Sequence, residues 1–155
     1  MGAADLAGKA RAEVRQLHAF FVAWFRGESR MAEDFATCEA AFAPDFRMVT
    51  PDGQVHDRAS VIKTLRLARG RSSADFAIEI LQPHVAWQSD SVVLLEFVER
   101  QYVSGRVDSR RSTGLFTAEP TAPRGVVWRH LHETWMQPDD GNTIQMRAGT
   151  IRREA

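Results

Sequence analysis

The first part of the chain carries apolar side chains at intervals of three and four residues. This stripe consists of Val14, Leu17, Phe21 and Trp24 or Phe25. Most arginines of the segment lie off the stripe, so the pattern predicts an amphipathic helix at about residues 4–27. The aromatic face of this helix has to be covered by other parts of the fold.

Two shorter helices are predicted after the first. Apolar residues recur at helical spacing up to Phe42, which indicates a second helix that begins near Ser29 and stops before Pro44. A third helix follows Asp57, whose carboxylate is suited to an N-cap, and Gly70 ends it.

The apolar period changes to about two after Ser73, which predicts β-structure. Turn signals divide the region into four long strands, at about residues 76–87, 92–103, 110–119 and 126–136. Residues 143–155 are either an edge strand or a loose tail.

A short hairpin lies between the second and third predicted helices. Its strand covers residues 46–49, its turn is Pro51-Asp52-Gly53, and Val55-His56 is the returning arm. Helices followed by a meander of long antiparallel strands predict an α+β fold with the helices on one face of the sheet.

Composition and charge limit the kinds of binding partner and the cellular compartment that are expected for the protein. The 155 residues include 20 basic and 20 acidic side chains, so charge favours neither nucleic acid nor a membrane surface as a partner. Cys38 is the only cysteine, which excludes an internal disulfide and fits a reducing compartment. The chain lacks both a long apolar run and a signal-peptide pattern, so a cytoplasmic protein is expected.

Four stretches of the chain are informative in their order and spacing. They are A-F-F-V-A-W-F-R-G-E, F-A-P-D-F-R-M-V-T-P-D-G-Q-V-H-D-R-A-S-V-I, the pair L-E-F-V-E-R-Q-Y and R-S-T-G-L-F, and W-R-H-L-H-E-T-W. Together they resemble the nuclear transport factor two-like superfamily, which includes ketosteroid isomerase, SnoaL-type cyclases and the association domain of calcium/calmodulin kinase II. The resemblance covers about residues 11–137 of a single domain that spans residues 1–155. It implies a cone-shaped, cystatin-like α+β roll, in which three N-terminal helices cover one face of a strongly bent antiparallel or mixed sheet.

The resemblance also implies a ligand cavity between the first helix and the sheet. Such cavities are mostly apolar, with few polar groups. Phe21 and Trp24 are candidate wall residues for a small apolar or amphipathic molecule, although a plain core role is favoured for the aromatic residues of this helix. Members commonly form homodimers through the outer face of the sheet, and the same partner surface is expected here. No cofactor is implied.

The catalytic residues of the best-known relatives are not reproduced. Thr50 stands where ketosteroid isomerases have the aspartate base, and Phe20 stands near the position of their oxyanion tyrosine. Dehydratases of the family need several tyrosines, whereas Tyr102 is the only one here. Isomerase chemistry of the ketosteroid type is therefore not expected.

The stretch W-R-H-L-H-E-T-W places two histidines and a glutamate on one predicted strand. Side chains alternate between the faces of a strand, so Glu133 points away from His130 and His132 and cannot complete a metal site with them. No metal is predicted. The resemblance to the kinase association domain implies that Leu131, Glu133 and Trp135 face the cavity. The two histidines then face outward.

The same comparison orients the strand at residues 92–103. It places Glu96, Arg100 and Tyr102 in the cavity, and the opposite set is Leu95, Phe97, Glu99 and Gln101. An ion pair between Arg100 and a glutamate is the expected way to hold these charges.

Three other polar residues near the predicted cavity receive structural interpretations. His18 borders the apolar stripe of the first helix and is interpreted as a hydrogen-bonded histidine rather than a catalyst. Arg110 and Arg111 can reach a ligand carboxylate from the cavity mouth, but a surface or interface role is favoured for both.

Two functional hypotheses remain open. The favoured one is a homodimeric domain that binds a small molecule in a mostly apolar cavity without catalysis of its own. The alternative is a lyase or isomerase, of the dehydratase or cyclase kind, for an apolar carbonyl compound. In that case Glu133 or Glu96 is the general base, and Tyr102 or Arg100 polarises the substrate oxygen.

Overall fold

The structure is a computed structural model that describes residues 2–28 and 32–138. Within these ranges the chain forms three helices and six strands. In chain order they are α1 (Ala3–Arg26), α2 (Ala32–Ala40), β1 (Phe42–Val49), β2 (Val55–Asp57), α3 (Arg58–Leu67), β3 (Ala77–Gln88), β4 (Val92–Val103), β5 (Arg106–Ala118) and β6 (Val126–Trp135).

Helix α1 covers the predicted segment. Leu6, Val14 and Leu17 on its apolar stripe are almost fully buried. The helix ends at Gly27, whose φ of 77° is a left-handed conformation that glycine adopts without steric cost. The 3.6-residue period therefore predicted both the helix and the face that it buries.

The region after α1 differs from the prediction. Phe42, assigned to the second helix, instead begins strand β1, and Pro44 lies inside that strand. The pairing of β1 with β6 shifts register between Phe42 and Arg47, and such an irregularity accommodates a residue that cannot donate a hydrogen bond. The predicted helix start at Ser29 lies outside the described residues.

Helix α3 begins as predicted. The Asp57 carboxylate accepts a hydrogen bond of 2.8 Å from the backbone N–H of Ser60, which satisfies one of the free donors of the first turn. Strand β2 precedes this cap directly and pairs antiparallel with β1. The predicted hairpin around Pro51-Asp52-Gly53 is thus present.

The six strands form one mixed sheet in the order β2-β1-β6-β5-β4-β3. Strands β3 to β6 make the predicted antiparallel meander, and β1 joins β6 in parallel. Strand β5 begins at Arg106, four residues earlier than predicted, because it pairs with β4 along its whole length. The segment 143–155 lies outside the described residues.

Helix α1 packs on one face of the sheet, and the core lies between them. Register shifts within β3, and between β5 and β6, mark bulges that bend the strands around this core. The fold is a cone-shaped α+β roll. None of the helices described is long and apolar enough to span a membrane.

Candidate functional site

A cavity of about 160 Å³ lies between α1 and the inner face of the sheet. Its walls are mostly apolar, and they are formed by Leu17, Phe21, Phe25, Phe42, Phe46, Met48, Val61, Leu65, Ile78, Trp128 and Leu131. Five polar side chains also border it, and these are His18, Glu99, Gln101, Arg110 and Glu133. An apolar wall with a few polar groups directed towards one point is typical of a small-molecule binding site.

Strand register places three of these polar groups, Glu99, Arg110 and Glu133, close to one another and to Ser112. Glu99 on β4 lies opposite Arg110 on β5, and Glu133 on β6 lies opposite Ser112 on β5. Arg110 and Ser112 are two residues apart, so their side chains project from the same face of β5. His18 reaches the same place from α1, and together they form the polar end of the cavity.

His18 and Glu99 form a buried pair. Nε2 of His18 lies 2.8 Å from Oε1 of Glu99, while Nδ1 lies 2.7 Å from the carbonyl oxygen of Val14. Burial alone would raise the pKa of Glu99, but the charge and hydrogen bond of His18 lower it to about 2. Burial alone would lower the pKa of His18, and the Glu99 carboxylate reverses this and raises it. The pair is therefore held as imidazolium and carboxylate.

Glu133 has the opposite electrostatic environment. Its side chain is 3% exposed, and burial together with the negative charge of Glu99 raises its pKa to about 7. Arg110, with Nη1 3.7 Å from Oε1, and the Ser112 hydroxyl, which donates a hydrogen bond of 3.2 Å to Oε2, only partly oppose this increase. Near neutral pH the Glu133 carboxyl therefore exchanges readily between its protonated and ionised forms.

Arg110 stands between the two carboxyl groups without a close contact to either. Its Nε is 3.8 Å from Oε2 of Glu99 and has no hydrogen-bond partner among the described residues, although it is buried. The guanidinium carbon lies 4.7 Å from the ring centroid of Trp135, a cation–π distance. Trp135 thus orients Arg110, while the buried Nε finds no acceptor within the part of the chain that the structure describes.

The residues that were predicted to line the cavity lie in different surroundings. Phe21, Leu131 and Glu133 border the cavity. Trp135, at the end of β6, contacts Arg110 instead of the apolar wall. Trp24 is buried in the core, where its indole N–H donates a hydrogen bond of 2.7 Å to the Leu65 carbonyl, so it is not a wall residue.

The predicted orientation of β4 is wrong. Glu96, Arg100 and Tyr102 project from the outer face, and Glu99 and Gln101 border the cavity instead. Glu79 on β3 contacts two of these outward residues. Its Oε2 accepts a hydrogen bond of 2.9 Å from the Tyr102 hydroxyl and lies 3.8 Å from Nη1 of Arg100.

The apolar half of β4 explains this orientation. Val93, Leu95 and Phe97 are fully buried between the sheet and α1. Because side chains alternate strictly, this burial carries Glu99 and Gln101 onto the inner face of the same strand. The apolar run at Val93, Leu95 and Phe97 indicates this orientation in the sequence, whereas the resemblance to the kinase association domain implied the opposite one.

Strand β6 contains a bulge that the alternation rule did not predict. Phe116 pairs with Trp128 and Leu115 pairs with His130, so Arg129 is an extra residue between them. Trp128 therefore faces inward with Leu131 and Glu133, not outward with the histidines. Its indole N–H donates a hydrogen bond of 3.0 Å to buried Glu13 on α1.

His130 and His132 border an outer groove, on the face that the resemblance to the kinase association domain implied for them. Their ring centroids are 6.3 Å apart in an edge-to-face arrangement. Over the described ranges, no group of three or more His, Cys, Asp or Glu side chains is arranged to hold a metal ion.

A strongly bent mixed sheet with helices on one face and a cavity between the layers defines a class of cone-shaped α+β proteins. The structure is similar to that of an NTF2-like protein of unknown function from Pseudomonas aeruginosa, with a TM-score of 0.76 and 29% identity over 83% of this chain and 99% of that chain. It is also similar to the CaMKII hub of S. rosetta, with a TM-score of 0.63 and 10% identity over 88% of this chain and 98% of that chain. ActVI-ORFA from Streptomyces coelicolor matches with a TM-score of 0.58 and 13% identity over 84% of this chain and 96% of that chain.

The chain has the fold of the NTF2-like proteins, which confirms the fold that the resemblance implied. No protein-family model and no curated protein sequence matches it. The likeness to the hub and to ActVI-ORFA concerns the fold alone, so the function has to be argued from the cavity.

Proposed function

We propose that the protein is a homodimeric domain that binds a small apolar or amphipathic molecule in the cavity beneath α1. The observation that carries this proposal is an apolar cavity of about 160 Å³ with polar groups gathered at one end. An apolar cavity of about 150 Å³ engineered in another protein binds benzene, so a ring-sized molecule matches this volume. The polar end would orient the ligand and the apolar walls would supply most of the affinity.

Native mass spectrometry of the freshly purified protein tests the binding function. We expect a discrete extra mass on the wild type and on Leu67→Trp, whose position on α3 is 55% exposed. Leu131→Trp fills the cavity and should remove that mass. Retention of the mass by Leu131→Trp would mean that the ligand binds elsewhere.

The proposed dimer interface is the outer face of the sheet. Trp87 and Val107 on this face are 58% and 54% exposed, and Leu94 and Leu115 lie partly exposed between them. Covering these side chains would remove apolar surface from water. Light scattering should give a dimer mass for the wild type and for Leu67→Glu, and a monomer mass for Leu115→Glu. A monomeric wild type would overturn this part of the proposal.

Glu133 favours one alternative function, that of a lyase or isomerase for an apolar carbonyl compound. A buried carboxyl with a pKa of about 7 is suited to accept a proton near neutral pH. In this alternative Glu133 is the base and Arg110 polarises the carbonyl oxygen. Glu96 and Tyr102 have no part in it, since both face outward.

Deuterium exchange next to the carbonyl of cyclohexanone, followed by NMR in D₂O, tests this alternative. Glu133→Gln should abolish any exchange that the wild type catalyses. Glu96→Gln, on the opposite face, is the matched control and should leave the rate unchanged. Equal rates for the wild type and Glu133→Gln would exclude Glu133 as the base.

A further inference from the structure

Arg110 has donors that no group in the described structure uses. Its two carboxyl neighbours lie 3.7 and 3.8 Å away, beyond hydrogen-bond distance, and its buried Nε has no hydrogen-bond partner among the described residues. A buried donor without a partner costs about 1–3 kcal/mol, which a ligand oxygen at this position would recover. The polar end is therefore built to receive an acceptor.

The charges around Arg110 indicate which kind of acceptor. Among the described residues that border the cavity, the ionisable groups are His18 from α1, Glu99 from β4, Arg110 from β5 and Glu133 from β6. With Glu133 protonated, two cations face one anion, and the cluster carries a net charge of one positive unit. With Glu133 ionised, the cluster is neutral.

An incoming anion is compatible with only one of these two states. A carboxylate that joins the cluster restores neutrality if Glu133 is protonated, but it leaves an uncompensated buried negative charge if Glu133 is ionised. Uncompensated charge is strongly disfavoured in a buried site. Binding of an anion therefore has to be accompanied by protonation of Glu133.

On the basis of the binding function proposed above, we propose that the ligand is a small apolar acid, whose carboxylate accepts hydrogen bonds from Arg110 while Glu133 takes up one proton from solvent. The body of the acid lies against Phe21, Met48 and Leu131 on the apolar wall. A cationic ligand would face both His18 and Arg110 and is excluded by charge. A neutral ligand could use the Arg110 donors, but its binding would require no proton.

Isothermal titration calorimetry with benzoate and its neutral analogue benzamide tests the inference. Titrations in phosphate and in imidazole, which both buffer between pH 6 and 8 and differ in ionisation enthalpy, give the number of protons taken up. In the protein without ligand, Glu133 has a pKa of about 7. Binding of benzoate should therefore be accompanied by uptake of about 0.1 proton by the protein at pH 6 and about 0.9 proton at pH 8. Binding of benzamide should be accompanied by no proton uptake at either pH.

Variants identify the groups involved. Arg110→Lys keeps the charge but loses the planar set of donors, so benzoate affinity should fall at least about tenfold while benzamide affinity changes little. Arg111→Lys, on the outer face of the same strand, is the matched control. Glu133→Gln resembles the protonated carboxyl and should bind benzoate without proton uptake, with the same affinity at pH 6 and pH 8.

The outcomes separate this inference from the proposed function. Binding of benzamide without binding of benzoate, or benzoate binding without proton uptake by the wild type at pH 8, would overturn the inference and leave the binding function standing. Failure of both compounds to bind at millimolar concentration would overturn the two together. The proton count is measured on the wild type, so it remains decisive even if Arg110→Lys does not fold.

Discussion

Nε2 of His18 lies 2.8 Å from Oε1 of Glu99, and this contact joins residues that are 81 positions apart in the chain. It connects helix α1 to strand β4 across the polar end of the cavity. Both side chains are less than a tenth exposed. The pair therefore sets how the helix lies over the sheet at the place where a ligand would bind.

Breaking this pair should destabilise the fold. Glu99→Gln leaves a buried imidazolium without its counter-charge, and we expect a loss of about 3–5 kcal/mol in the free energy of unfolding. His18→Gln should cost a similar amount. Urea unfolding of both single variants and the double variant should give a coupling energy of about 1–3 kcal/mol. A coupling energy near zero would show that the two side chains contribute independently.

The same pair gives stability a defined pH window. The pKa of Glu99 is lowered from 4.5 to about 2, so its contribution is fully present above pH 4.5 and is lost as pH falls towards 2. The pKa of His18 is raised above 6.5, so its contribution is fully present below pH 6.5 and is lost as pH rises through the folded-state pKa.

The stability difference between the wild type and the double variant His18→Gln/Glu99→Gln should therefore be largest between pH 4.5 and 6.5. Urea midpoints measured across the pH range test this. A difference that does not vary with pH would mean that the pair is not ionised in the folded protein.

Glu133 should make the protein less stable as pH rises. Its pKa is raised from 4.5 to about 7, so between these values the unfolded chain has lost the proton that the folded chain still binds. Since one pKa unit corresponds to about 1.4 kcal/mol, Glu133→Gln should gain stability relative to the wild type from pH 4.5 to 7, by an amount on the order of 3 kcal/mol. Thermal melts at several pH values measure it.

Glu96→Gln is the matched control for that experiment, because Glu96 lies on β4 and faces the outer side of the sheet. Its stability relative to the wild type should change little over the same pH range. A parallel pH profile for Glu133→Gln and the wild type would contradict the raised pKa of Glu133.

Gly114 is required by close packing on the inner face of the sheet. A Cβ at this position would lie 2.8 Å from Cε2 of Phe116 and 3.1 Å from Cζ3 of Trp128. Gly114→Ala should therefore cost about 1–3 kcal/mol in the free energy of unfolding. Gly8→Ala, in the interior of α1 where a Cβ meets open space, should instead add about 0.5–1 kcal/mol. If Gly114→Ala is neutral by urea unfolding, the two rings adjust without cost.

Features that depend on near neighbours in the chain were predicted well from the sequence. The period of the apolar residues identified α1, and the residue range of β4 was predicted correctly as Val92–Val103. The Asp57 cap was also predicted, because it requires only a carboxylate three residues before a free N–H.

Features that depend on pairing between distant segments were predicted less well. Phe42 has helical spacing with its predecessors, yet it pairs with Trp128 and forms a strand. Trp128 itself faces inward because of the bulge at Arg129, which leaves no signal in the alternation of polar and apolar residues. In both cases a contact made by the folded sheet overrides the local pattern.

The amino-acid sequence by itself determined helices α1 and α3, most of the strands and the class of fold, since hydrophobic period and turn residues act over a few positions. Only the tertiary structure decided which face of β4 borders the cavity, because a strand presents two faces and packing against α1 selects one of them. For the same reason His18, Glu99 and Arg110 could not be assembled into one site from the sequence. They come from three different elements, and they meet only when the helix lies on the sheet.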